Sequence, residues 1–226
     1  MREIVLDTET TGLDPKTQRI VEIACIELVN HLPTGQKFHT LLDPEMEVPS
    51  EAVAVHGLSN AKLAGAPLFS MIASEFLDFI GESKLVIHNA EFDIGFINAE
   101  LRRANFERIP ITRAIDTVQM ARRKFPGAPA SLDALCKRFG IDNTHRTLHG
   151  ALLDSELLAQ VYLELLGGRQ VGMALGEKPA AGAAPELSAP VPAAVARPAR
   201  IFAPSEAELA AHQAAVAKLK NALWNA

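Results

Sequence analysis

Apolar and polar positions fall into short blocks along the first half of the chain. Ile4-Val5-Leu6 is a continuous apolar run with two β-branched residues, which reads as a strand covered on both faces. The run ends in Asp7-Thr8-Glu9, and the two-residue period of a strand puts both carboxylates on one face. Residues Arg19–Val29 predict a second strand and Lys37–Leu42 a third, with turn residues between Asn30 and Gly35. Such short connections make an antiparallel meander. Pro49-Ser50 predicts a short helix with Ser50 as N-cap and Gly57 as its stop. Phe69, Ile72, Phe76, Phe79 and Ile80 recur at helical spacing before Gly81, so their stripe is core.

The pattern then changes to strand, tight turn, helix. Leu85-Val86-Ile87 runs into His88-Asn89-Ala90-Glu91-Phe92-Asp93 and a helix reaching about Asn105, which is the first half of a parallel β-α-β unit. Functional groups in such units collect at the carboxyl ends of the strands, where Asp93 lies. Ile111–Thr117 predicts a further strand, and Ser131 caps a helix running through Phe139 to Gly140. In the last core helix, Gly150–Leu166, the positions Gly150, Asp154, Leu157, Leu158 and Val161 share one face. A carboxylate therefore occupies the stripe that packs on the sheet, where an unpaired charge is costly. Ser155, next to it, is expected to point away and to matter little.

Composition narrows the class. With 226 residues, 48% of them hydrophobic, the chain can fill one domain and carry an appendage. No apolar stretch is long enough to span a bilayer, and Met1-Arg2-Glu3 leads straight into the first strand, so a cytoplasmic protein without membrane contact is expected. Cys25 and Cys136 fall at apolar positions and read as buried thiols. A net charge of −5 argues against broad electrostatic binding of nucleic acid. It does not argue against an enzyme acting on phosphates, because bound cations reverse the local field of clustered carboxylates. Basic residues cluster at Arg102-Arg103 and Arg122-Arg123-Lys124, which surface solvation explains equally well.

Four carboxylates at element ends, Asp7, Glu9, Asp93 and Asp154, form an all-oxygen set suited to Mg²⁺ or Mn²⁺ rather than zinc. Two such ions can clamp the attacking and leaving oxygens of a phosphoryl displacement, and His149 lies close enough in sequence to take a proton beside them. The segments Asp7-Thr8-Glu9, His88 to Asp93 and His149 to Asp154 resemble, in order and spacing, the three motifs of the DEDDh 3′→5′ exonucleases. The resemblance covers roughly residues 1–168. It is closest to the proofreading branch of that family, carried by the runs Phe125-Pro126-Gly127, Ser131 to Cys136 and Asp142 through Leu163.

That resemblance implies an α/β, ribonuclease-H-like exonuclease fold, a mixed five-stranded sheet flanked by helices. It implies two metal ions on Asp7, Glu9, Asp93 and Asp154, with His149 as general base. Thr8, Glu9, Leu13, His56, Asn89 and His149 would meet the 3′ end of DNA, with Leu13 as a wedge beside the terminal base. The alternatives are an RNA-trimming exonuclease of the same fold and a binding module that has lost its chemistry. The complete set of five residues speaks against the second.

Beyond Gly167-Gly168 the composition shifts. Residues 169–204 form an Ala-rich stretch with six prolines from Gly172 onward, which reads as a flexible linker. Within it, Gln170, Met173 and Leu175 resemble the peptide by which the proofreading branch binds the sliding clamp. Residues 205–226 predict an amphipathic helix, opened by a Ser205/Glu208 capping box and carrying Leu209, Val216, Leu219 and Leu223 down to Trp224. Its apolar stripe is expected to dock on the polymerase catalytic subunit.

Overall fold

The computed structural model describes residues 1–146, 148–168 and 204–218. The chain divides into two units, Met1–Leu175 and Gly176–Ala226. In the first, β1 (Arg2–Thr10), β2 (Ile20–Val29), β3 (Leu32–Leu41), β4 (Lys84–Ile87) and β5 (Ala114–Asp116) form one sheet in the order β3-β2-β1-β4-β5. β1 pairs antiparallel with β2 and β2 with β3, while β4 runs parallel to β1 and β5 parallel to β4. This is the expected mixed five-stranded sheet.

β1 is central, which is why its apolar run is continuous. Ile4 and Leu6 join one core with α3 (Phe69–Ile80) and α4 (Ala90–Arg103), where Phe69, Phe76 and Phe96 are fully enclosed. Val5 joins a second core on the opposite face with α5 (Thr117–Lys124), α6 (Leu132–Phe139) and α7 (Ala151–Leu166). Each enclosed aromatic or branched side chain contributes about 1.5–3 kcal/mol. The two short helices α1 (Ser50–His56) and α2 (Asn60–Leu63) precede α3; Leu63 packs in a third, small cluster with Val21 and Val48. Cys25 and Cys136 are free, buried thiols as expected.

Several boundaries differ from the sequence pattern for identifiable reasons. The hairpin between β2 and β3 turns on Asn30 and His31 alone, both at positive φ (51° and 66°), as a two-residue turn requires. β3 therefore begins at Leu32 rather than Lys37. Pro33 and Gly35 read as turn residues, but an edge strand with a register shift tolerates both. Ser50 is the first helical residue of α1 and Pro49 its cap, while Gly57 ends the helix at φ 72° as expected. The segment Ile111–Thr117 is only half strand. A 3₁₀ turn occupies Ile111–Arg113, and Thr117 starts α5, a helix the pattern did not predict. Its N-cap is Asp116, whose Oδ1 accepts from Val118 N at 2.8 Å and Gln119 N at 3.2 Å.

The second unit contains α8 (Glu206–Val216), opened by the expected capping box between Ser205 and Glu208. Leu209 is exposed and Val216 half-buried. Gln170, Met173, Leu175, Leu219, Leu223 and Trp224 lie outside the described residues. Among the described residues, no helix is long and apolar enough to cross a membrane.

Candidate active site

The parallel pairing of β1 with β4 brings Asp7, Glu9 and Asp93 to the same end of the sheet, and α7 adds Asp154. Asp7 and Glu9 sit on the last half of β1, Asp93 in the first turn of α4 directly after β4, and Asp154 in the first turn of α7. Ligand atoms of Glu9, His149 and Asp154 lie within 4.8 Å of one another. Asp7 is close enough to Asp93, Glu9 and Asp154 for each to oppose its ionisation.

Burial and mutual repulsion shape the electrostatics. Glu9 is pushed up to about 8, first by loss of hydration and then by the charges of Asp154 and Glu22. Asp7, part-exposed by surface area but ringed by protein, is raised well above the usual range by desolvation and then by Asp93. Asp93 is raised to about 7 by burial, even though Thr8 holds its ionised form with a backbone N–H at 3.1 Å and a hydroxyl at 2.7 Å, both on Oδ1. Thr8 thus spends its donors on Asp93. Three carboxyls held above their ordinary range, with oxygen donors only, fit hard divalent cations, which would lower all three at once.

Asp154 is held differently. Arg146 grips it with two bonds, Nε to Oδ1 at 2.5 Å and Nη2 to Oδ2 at 2.7 Å, and both side chains are almost enclosed at 8% and 6% exposure. The same guanidinium reaches Asp133 Oδ1 at 2.9 Å and His149 Nδ1 at 2.8 Å. His149, half exposed, has Nδ1 3.4 Å from Asp154 Oδ2 and its backbone N–H on the Val55 carbonyl at 3.1 Å.

Beside the carboxylates lies a cavity of about 430 Å³, mostly apolar, lined by Thr8, Glu9, Leu13, Val55, His56 and Phe92 among others. Leu13 is exposed at its mouth. His56 is buried with Nδ1 accepting from Leu58 N at 3.0 Å, so its proton sits on Nε2, on the side of the Thr10 backbone. Burial lowers its pKa. Asn89 is not in this cavity. It stands in the left-handed conformation (φ 71°) on a separate, polar groove of about 620 Å³ that also takes in His88, Asp116, Gln119, Arg122 and Ser131.

Sequence reasoning missed Arg146, Glu22, Phe92 and the role of Thr8 toward Asp93. Glu22 carried a readable signal, since it is a charge inside the apolar run of β2. Arg146 carried none, because its contacts are made from an irregular loop. Ser155, beside Asp154 in α7, is fully buried with an unpartnered hydroxyl.

Comparison with known proteins agrees with this arrangement. The exonuclease family matches residues 4–162. The DNA polymerase III subunit epsilon of Rickettsia felis is 54% identical over 182 residues, 79% of this chain and 80% of that protein. Among solved structures, exonuclease X in complex with 5′ overhanging duplex DNA superposes with a TM-score of 0.55 at 27% identity, over 72% of this chain and 90% of that one. The nuclease domain of 3′hExo, a DEDDh family member bound to rAMP, shares the fold at a TM-score of 0.63 and 18% identity, over 73% of this chain and 91% of that one. A carboxylate cleft at the end of a mixed sheet, in a chain this similar over most of its length, makes this protein a member of the exonuclease family, among the DNA polymerase III epsilon subunits.

Proposed function

We propose that this exonuclease removes mispaired 3′-terminal nucleotides from DNA as the proofreading subunit of a replicative polymerase. The observation that carries the reading is the convergence of Asp7, Glu9, Asp93, Asp154 and His149 beside an apolar cavity sized for one nucleoside. Asp7, Glu9, Asp93 and Asp154 would hold two divalent cations, Mg²⁺ or Mn²⁺, which when bound stabilise charge on the phosphodiester undergoing displacement. The terminal base enters the cavity against Val55 and Phe92, and Leu13 at its mouth separates it from the next base. His56 lines the same cavity and faces the sugar or base. Asn89 and the polar groove lie along the path of the preceding nucleotides.

His149 takes a proton from the attacking water. A neutral imidazole whose Nδ1 accepts from Arg146 carries its proton on Nε2 and has no free lone pair. The acting form is therefore reached when Arg146 releases Nδ1.

The test is release of mononucleotides from single-stranded DNA with Mg²⁺ present, beside an RNA strand of the same sequence. Faster hydrolysis of DNA is expected. A preference for RNA would move the reading to transcript trimming, and no release from either would remove the catalytic reading. Residues 205–226, with Leu209, Val216, Leu219, Leu223 and Trp224, serve to dock on the polymerase catalytic subunit, and Gln170, Met173 and Leu175 on the sliding clamp. The linker keeps the nuclease at high effective concentration near the primer end. A chain ending at Gly168 is expected to keep full activity on free DNA yet fail to co-purify with the polymerase.

A further inference from the structure

Glu22 is a buried carboxylate that the mechanism above does not use. It lies directly opposite Glu9 in the β1–β2 register, and its charge opposes the ionisation of both Glu9 and Asp7. A second acid beside a carboxylate cleft is unfavourable unless it does something else. Its two oxygens are both engaged. Oε2 accepts the backbone N–H of Ala151 at 3.1 Å, and Oε1 lies 2.7 Å from His39 Nε2 on β3.

Ala151 is the first residue of α7, and the helix needs this acceptor. Its N-cap is Gly150, which has no side chain, and no side-chain cap is formed within the segment. Ala151 is fully buried, so water cannot serve its N–H. A carboxylate there also faces the positive end of the helix dipole. One residue before the cap stands His149, pinned on its other side by Val55, and one turn after it stands Asp154, whose N–H bonds the Gly150 carbonyl at 2.9 Å.

We infer that Glu22 is a positioning residue for hydrolysis: it anchors the start of α7 to the sheet and so places His149 and Asp154 opposite Asp7 and Glu9. The inference rests on the proposed mechanism. Glu22 is not a metal ligand in this arrangement, because Oε2 is taken by Ala151 N–H and Oε1 by His39, and what α7 chiefly requires of it is an acceptor oxygen. Glutamine supplies that oxygen and alanine does not.

The experiment compares Glu22→Ala, Glu22→Gln and His149→Ala on single-stranded DNA at saturating Mg²⁺. A displacement of about 1 Å in a reacting group costs on the order of 10²-fold, so Glu22→Ala is expected to lower kcat by about that factor with KM unchanged, and Glu22→Gln to restore most of it. Combining Glu22→Ala with His149→Ala should lose less than the product of the two single losses, since part of what Glu22 does passes through His149. In parallel, amide hydrogen exchange without metal or DNA should show Ala151 protected in the parent and Gln variants and open in the Ala variant. An unchanged kcat in Glu22→Ala, a Gln variant as slow as the Ala variant, or an effect on KM alone overturns the inference. If Glu22→Ala does not fold, the Gln variant and its Ala151 protection decide. An active His149→Ala variant would instead remove the general-base reading, while the exchange result would still report on the Glu22 contact.

Discussion

Asp93 and Asp154 occupy equivalent places, each a buried carboxylate in the first turn of a helix, yet the two sides of the cleft hold them by opposite means. Asp93 accepts only neutral donors, from Thr8, and is pushed up to about 7 by burial. Asp154 is clamped by a full positive charge, Arg146. The difference teaches that Asp93 has no cationic partner within the protein while Asp154 has one. On the proposed mechanism a divalent ion would relieve Asp93 without displacing anything, whereas at Asp154 it would compete with a guanidinium.

The sharpest break of that comparison is removal of each acid. Asp93→Asn and Asp154→Asn are both expected to abolish hydrolysis, because on the proposed mechanism each removes a charge that would hold a metal. Their stabilities without metal should diverge. Asp154→Asn leaves Arg146 buried without its main partner and costs about 3 kcal/mol in urea unfolding with chelator present. Asp93→Asn keeps an acceptor for Thr8 and removes a poorly hydrated acid, so its cost is within about 1 kcal/mol. Equal losses would erase the distinction.

Next in size is His149→Ala, expected to slow hydrolysis by about 10² to 10⁴ with metal binding retained. A variant as fast as the parent would show that another group is the base.

Arg146→Ala sharpens the contrast from the other direction. With the competing guanidinium gone, calorimetric titration should show Mn²⁺ binding tightened by about tenfold, the equivalent of one charged hydrogen bond of roughly 1.5 kcal/mol. Weaker Mn²⁺ binding would mean that Arg146 organises the metal-bearing form instead.

The smallest effect is on pH dependence without metal. Glu9 and Asp93 rise from 4.5 and 3.8 to about 8 and about 7 on folding. These two groups therefore bind more protons in the folded protein than in the unfolded chain between those limits, so their contribution to stability is fully present below about pH 4 and is lost as pH rises toward 8. Thermal melts in chelator should follow that slope, and Mg²⁺ should flatten it. A metal-free protein that gained stability across this window would contradict the carboxyl shifts.

These two acids also show how far the chain could be read in advance. Asp7 and Glu9 were legible because a strand's period is two and the apolar run stops at them. Asp154 was legible because it interrupts a helical stripe. Asp93 needed the β-α-β pattern. What holds each acid was not legible: Thr8 reaches Asp93 across 85 residues, and Arg146 reaches Asp154 from a loop with no period at all. The same limit explains α5, whose start depends on Asp116 turning from strand partner to helix cap in one step. It also explains β3, where Pro33 and Gly35 looked like turn residues until the sheet order placed them on an edge.

The order in which the chain is made has a consequence for when this site can exist. β1 holds two of the four acids within the first ten residues, and the β1–β2–β3 meander is built from neighbouring segments that can pair early during synthesis. His149 and Asp154 arrive with α7, the last helix of the domain, and dock only when Ala151 meets a strand more than a hundred residues older. A ribosome-bound chain that lacks α7 carries half of the proposed site. On the proposed mechanism, hydrolysis is thereby withheld from every partial product of translation and begins only once His149 and Asp154 are in place.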